Sequence, residues 1–282
     1  VAVLPAGTAT ALAAGKDVFL GTDRGLYRVQ GGQFVAVDEL NRLLGDGAAV
    51  GQIAVGPGGE MAVAARAGLF ELGADGWHAR YPRQGTRSWA PYDVRGTTYD
   101  AKGNLWFASP QGVGVREGGE WKLFTGDDGL PFNDFTKIAA GPAGDVWFGT
   151  AHGAVHYAAG VWEYRQGRRW LPNDAVRDVV VDPKGAAWFA TDDGVGCIET
   201  VPMTLAEKAK RFEDAIDKYH RRTPYGFVLQ VALPAPGDLS SWRNLDSDND
   251  GLWTSMYGAG ECFAYGARKD PYHKERARKA FE

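Results

Sequence analysis

Asp246, Asp248 and Asp250, closed by Gly251, alternate along the chain as in the front half of a calcium loop, where every second carboxylate turns toward one cation and glycine permits the bend. The twelfth position of such a loop should be a bidentate glutamate; here it is Tyr257, with Glu261 four residues further on, so this is not a standard EF-hand. Two other uses of the same residues stand beside calcium. Asp248 or Asp250 would serve catalysis if paired with a second carboxylate as acid and base, and Asp250 also lies where a helix N-cap belongs. A second set is scattered through the first two thirds of the chain: Arg66, Trp89, His152, Arg168, Arg169, Trp170, Asp192 and Asp193. Aromatic rings beside arginine and aspartate suit a saccharide, an acidic sugar above all, another small polar ligand or a peptide. Each of them taken singly also fits a solvated loop position. His152 and His156 straddle Gly153 in a strand turn and share no helical face, so they do not make a zinc pair.

The elements that carry the second set repeat. Gly25, Gly68, Gly112, Gly153 and Gly194 recur at spacings of 43, 44, 41 and 41 residues, each inside a similar phrase such as VWFGTAHGAVHY from Val146. An aromatic follows nine residues after each of the first four, as Phe34, Trp77, Trp121 and Trp162, and another glycine precedes each of the last four by nine, as Gly59, Gly103, Gly144 and Gly185. Short β-branched or aromatic runs between glycine turns at this period predict an all-β fold, a β-propeller of four-stranded blades. Trp106, Trp147 and Trp188 share one slot of the second strand and are expected to pack between blades, because a residue constant from blade to blade belongs to the fold. Residues that differ between blades, on the links from second to third and from fourth to first strand, all fall on one face and line the mouth of the central channel. The second set lies there, which is where a binding surface is expected.

The phrase Trp-Phe-Gly-Thr-x-x-Gly-Val, with Gly129-Leu130-Pro131-Phe132-Asn133 opening the next first strand, resembles the two-component-regulator propeller repeats of bacteria. The resemblance spans Thr10 to Ile198 and departs in units one and two, which carry Phe19 and Ala62 in the tryptophan slot. It implies an extracytoplasmic, periplasmic or secreted location and a ligand-sensing or modular role. The chain contains no kinase or receiver segment, so signalling itself does not carry over. Four units are complete and the fifth supplies three strands. Either Val1–Leu4 provides the missing outer strand and closes a five-bladed ring, or the repeats are part of a larger propeller.

At residue 203 the period ends, and residues 1–202 are assigned to the propeller and 203–282 to a helical segment. Thr204-Leu205-Ala206-Glu207 is a capping box opening a helix to about Arg222, with an apolar stripe of Leu205, Phe212, Ile216 and Tyr219. Further helices are expected over Leu252–Ala267 and from Asp270-Pro271 to Glu282. The segment from Pro224 resembles the start of the α/α toroids of bacterial carbohydrate-active proteins, which implies hydrolase or lyase activity in a helical domain of which this chain holds only the beginning. The chain alone is then not expected to be catalytic. Competing with that reading are a catalytically silent sensor module and a protein-interaction platform acting through the propeller loop face.

Composition narrows the rest. With 44% apolar residues in 282 the chain can bury one or two cores, and no run of roughly 18 apolar residues exists to span a membrane. A net charge of −4 disfavours nucleic acid as a partner. Cys197 and Cys262 are expected either to pair as a disulfide or to remain as two buried thiols. No phosphate loop, nucleophile elbow or dinucleotide fingerprint is present.

Overall fold

Each phrase of the repeat folds into an antiparallel sheet whose strands follow chain order. Blade one comprises β1 (Ala9–Ala14), β2 (Val18–Thr22), β3 (Gly25–Gln30) and β4 (Gln33–Ala36); α1 (Asp38–Leu44) leads to blade two, with β5 (Val50–Val55), β6 (Met61–Ala65), β7 (Gly68–Gly73) and β8 (Gly76–Ala79). A small hairpin, β9 (Arg83–Gln84) and β10 (Arg87–Ser88), precedes blade three, built from β11 (Gly96–Tyr99), β12 (Leu105–Ser109), β13 (Gly112–Glu117) and β14 (Glu120–Phe124). Blade four contains β15 (Phe135–Ala140), β16 (Val146–Thr150), β17 (Gly153–Ala158) and β18 (Val161–Arg165), and blade five the three strands β19 (Val176–Val181), β20 (Ala187–Thr191) and β21 (Gly194–Ile198). The result is a β-propeller of five blades, in a computed structural model that describes residues 7–221, 225–235 and 237–282. Val1–Leu4, expected to complete blade five, lie outside the described residues.

The repeat glycines work as expected: all five hold φ between +127° and +147°, a region that a Cβ disfavours. Threonine explains the rest of the turn. Thr22, Thr150 and Thr191 each donate a hydroxyl hydrogen bond to the carbonyl of the glycine three residues on, at 3.0, 2.9 and 2.8 Å, which pins the link between second and third strands. At the other end of the second strand the indoles of Trp106, Trp147 and Trp188 donate to Asp100, Asp145 and Asp182 at 3.1, 3.1 and 3.3 Å.

Successive blades interlock through one apolar layer per interface. Trp106, Val113 and Val115 of blade three pack with Phe135, Ile138 and Phe148 of blade four, and Trp147 and Ala154 of blade four with Val176, Val179 and Phe189 of blade five. Trp106 and Trp147 are 2% and 3% exposed, but Trp188 is 43% exposed. The expectation that all three are packed between blades fails at Trp188, because no blade among the described residues covers the far side of blade five. β1 and β19 likewise do not pack as consecutive inner strands do among the described residues.

The chain divides into two units, Val1–Thr200 and Val201–Glu282. In the second, α2 (Leu205–Tyr219) opens on the Thr204–Glu207 capping box and stops three residues before Arg222, with His220 as its C-cap. A two-residue pair, β22 (Val231–Ala232) and β23 (Arg243–Asn244), separates it from α3 (Asp250–Arg268) and α4 (Pro271–Phe281), which pack on each other. The apolar stripe expected on α2 is corrected: Leu205 and Phe212 are exposed, and the residue that α2 buries is Glu213. The reason is an ion cluster, described below, that draws Glu213 inward. The cysteines are corrected too. Both are free and exposed, neither paired nor buried.

Candidate functional site

The inner strands of the blades surround the channel, and in four of them a register shift occurs one residue in, at Thr10, Gly51, Thr136 and Arg177. Such bulges re-aim the next side chain. In blades two, four and five that next residue is polar: Gln52, Lys137 and Asp178. Together with Thr10, Ala11, Leu12 and Ile53 these three line a cavity of about 470 Å³.

Lys137 is the chemical centre of that cavity. Its ammonium donates to the backbone carbonyl of Thr10 at 3.2 Å and to that of Gly51, so one side chain of blade four ties to blades one and two. Burial lowers the Lys137 pKa below the ordinary lysine value, while the Asp178 carboxylate pulls the other way. Gln52 makes a matching crossing, with its amide donating to the Ile138 carbonyl at 2.7 Å and accepting from the Ile138 amide at 3.2 Å. Blade three, which lies between, yields the space: a Cβ on Gly96 would stand 1.9 Å from Ile138 Cγ2 and 3.2 Å from the side-chain oxygen Oε1 of Gln52. An ammonium partly stripped of water, held beside an amide and a carboxylate, can orient a small polar molecule bearing an anionic or hydroxyl-rich group.

None of the eight loop residues expected to bind ligand lines this cavity. Arg66 donates to the Tyr92 hydroxyl at 3.1 Å, which raises its pKa. Trp89 sets its ring edge-on to Phe107 at 6.2 Å and is packing rather than an open platform. His152 stacks on Phe132 at 5.3 Å, with Nδ1 2.6 Å from Asp134. Trp170 lies under the guanidinium groups of Arg165 and Arg169, at 4.7 and 5.4 Å, and Arg168 is exposed. Asp192 is engaged bidentately by Arg177 at 2.6 and 2.8 Å, and Asp193 accepts from Asn173 at 3.0 Å. Apart from the exposed Arg168, the eight are thus engaged in local contacts on the blade loops. The sequence carried a signal for the channel residues all the same: in the aligned first strands, Gln52, Lys137 and Asp178 stand where blades one and three have Ala11 and Gly96.

In the helical unit the expected metal residues behave differently again. Asp250 is the first residue of α3, its carboxylate 3.5 Å from the Ser247 amide, and among the described residues the three aspartates do not gather their oxygens into one ligand set. Glu213, Glu261 and His273 do, with donor atoms within 4.8 Å of one another. His273 Nδ1 lies 2.7 Å from Glu261, and Glu213 accepts from the Tyr272 hydroxyl at 2.6 Å and from Arg276 Nε at 2.9 Å. Burial pushes the Glu261 carboxyl up, with the neighbouring Glu213 adding to it. Burial acts on Glu213 in the same direction but is outweighed by its hydrogen bonds and by Arg276, so its carboxyl is held low. A cation seated here would have to displace Arg276, so the arrangement is a self-compensated ion cluster joining three helices.

No protein-family model and no curated protein matches this chain. Solved structures do. The extracellular domain assigned to the hybrid two component system BT4673 of B. thetaiotaomicron aligns at 16% identity with a TM-score of 0.56, covering 70% of this chain and 28% of that one. A streptogramin B lyase aligns at 19% identity and TM-score 0.53, covering 69% and 65%, and the gluconolactonase XC5397 of Xanthomonas campestris at 14% and 0.50, covering 70% and 78%. The likeness is one of fold. This chain spans under a third of the length of that extracellular domain.

Proposed function

We propose that the chain is a ligand-binding propeller of the extracytoplasmic sensor type, periplasmic or secreted, that takes a small polar molecule with an anionic or hydroxyl-rich group in its channel. The observation that carries this reading is Lys137, an ammonium placed in the cavity with Gln52 and Asp178 by the bulges of three inner strands. The likeness to two-component extracellular domains supports it at the level of the fold. The test is calorimetric titration with uronic acids, neutral sugars and dicarboxylates. Lys137→Met should weaken any ligand so found by at least about tenfold, the size of one lost charge-assisted hydrogen bond, and Asp178→Asn should change the preference between anionic and neutral ligands. Binding unaltered in both variants would remove the channel as the site.

A second reading has one observation of its own. A groove of about 840 Å³ along α2 and α4 is lined by Glu213, Asp214, Asp270, Tyr272 and His273, with the basic side chains of Lys210, Arg211 and Arg268 beside the carboxylates. This supports a carbohydrate-active role for a toroid that these helices would begin. Hydrolase and lyase assays that show no activity sensitive to Glu213→Gln would end it.

A further inference from the structure

We infer that the side of the propeller between blade five and blade one is an interface, and that its occupant is at least one further four-stranded blade of the same repeat carried by the same polypeptide. The argument is positional. Val195 stands in the slot held by Leu69, Val113 and Ala154, all of them buried, and is 66% exposed. Trp188, in the slot of the buried Trp106 and Trp147, and Val180, in that of the buried Ala54, are exposed on the same face. On the opposite side, Leu12 of blade one is 70% exposed where Ile53, Ile138 and Val179 are buried. Val18 is exposed where Met61, Leu105 and Val146 are buried. Blade five therefore presents the surface that meets a following blade in every internal interface, and blade one presents, around the buried Leu20, part of the surface that meets a preceding one.

A sheet of the same repeat has both complements on one body, whereas a second copy of this chain carries them on two different blades, its first and its fifth. Burial of such slots is worth roughly 25 cal/mol per Å² of apolar surface, so leaving them in water opposes the fold. The aligned lyase and gluconolactonase chains extend beyond the part this chain covers. Filling the side would also wall the channel cavity, of which Leu12 is now a border.

Cys197 reports on the interface, because it lies on the uncovered face in the slot of the buried Val115, and Cys262 in the helical unit is an internal reference. The experiment is iodoacetamide labelling mapped by mass spectrometry on the 282-residue chain and on the polypeptide as its gene encodes it. The inference predicts that Cys197 of the 282-residue chain is labelled readily. In the gene-encoded polypeptide its rate relative to Cys262 should fall by at least tenfold, with Val195→Asp restoring it. Equal relative rates in the two polypeptides would overturn the inference, as would a gene that encodes no further repeat. Protection in the 282-residue chain that disappears on dilution would also overturn it, by making a second copy the occupant.

Discussion

The propeller and the helical unit bury different kinds of side chain. Among the described residues the propeller core is a run of apolar layers, Phe135 with Phe148, Trp147 with Phe189, in which one glutamate, Glu71, is enclosed and answered by two arginines: Arg116 at 2.5 and 2.8 Å and Arg80 at 2.7 Å. The helical unit buries Glu213, Glu261, His273 and Thr254 while Phe212, Leu252, Met256 and Phe263 stand in water. In the propeller a carboxylate is an insertion into a core that would exist without it. In the helical unit the ion cluster is the core, so its stability should follow charge and pH where that of the propeller follows volume.

The strongest way to break this contrast is to cut one side chain of each kind. Phe148→Ala should cost the propeller about 4 kcal/mol, the usual price of an emptied aromatic site. It should leave the helical transition where it was, as read by circular dichroism in the helix band. Arg276→Leu should do the reverse, removing about 3 kcal/mol from the helical unit because two buried carboxylates lose their guanidinium. If Arg276→Leu is tolerated and Leu229→Ala, a purely apolar change in the same unit, is not, the cluster is not what holds the helices.

Titration sharpens the contrast, since the two units should respond to pH with opposite sign. Burial opposes ionisation of Glu71, but Arg116 and Arg80 outweigh it and hold its carboxyl below the ordinary value of 4.5. Its contribution is therefore complete above that value and lost as pH falls through the lowered folded pKa. Glu261 is raised, so its contribution is present below 4.5 and lost as pH rises through its folded value. Glu213, held low, removes stability on further acidification. The propeller should gain stability from acid toward neutrality, whereas the helical unit should pass through a maximum in mild acid, flattened by Glu261→Gln. Chemical denaturation across that range measures both. The smallest effect is expected from calcium. Millimolar calcium should move the helical transition by no more than about a degree, corresponding to a few tenths of a kcal/mol, because Asp250 is engaged at the start of α3. A shift of several degrees would return the Asp246–Asp250 loop to the role of cation site.

The fold was far more legible than the site, and the reason lies in repetition. Gly112 or Trp147 is one member of a column, and four or five occurrences at one period leave few architectures open. The propeller, the three strands of blade five, the Thr204 capping box and the start of α4 at Asp270-Pro271 could all be read from such local rules. Lys137 is a single residue in a column of dissimilar ones, and its importance depends on a bulge one residue earlier and on a carbonyl in another blade, neither visible along the chain. The cluster around Glu213 was hidden for a related reason. Glu213 is far along the chain from Glu261 and His273, which themselves sit on two successive helices, and the amphipathic reading of α2 favoured Phe212, its neighbour, for the interior. Trp188 failed as a buried residue because burial belongs to a pair of blades, whereas the repeat describes one.

The crossing of Gln52 over Gly96 to Ile138 has a bearing on how the propeller comes apart. A repeat array in which each unit touches only its neighbours unfolds like a row of weakly coupled spins, and ends can fray while the middle persists. Gln52 couples blade two to blade four, and Lys137 couples blade four to blades one and two, so blade three cannot melt without the bonds that bridge it being strained from both sides. Second-neighbour couplings of this kind turn a sequential transition into a concerted one, and they pass through the same atoms that face the channel.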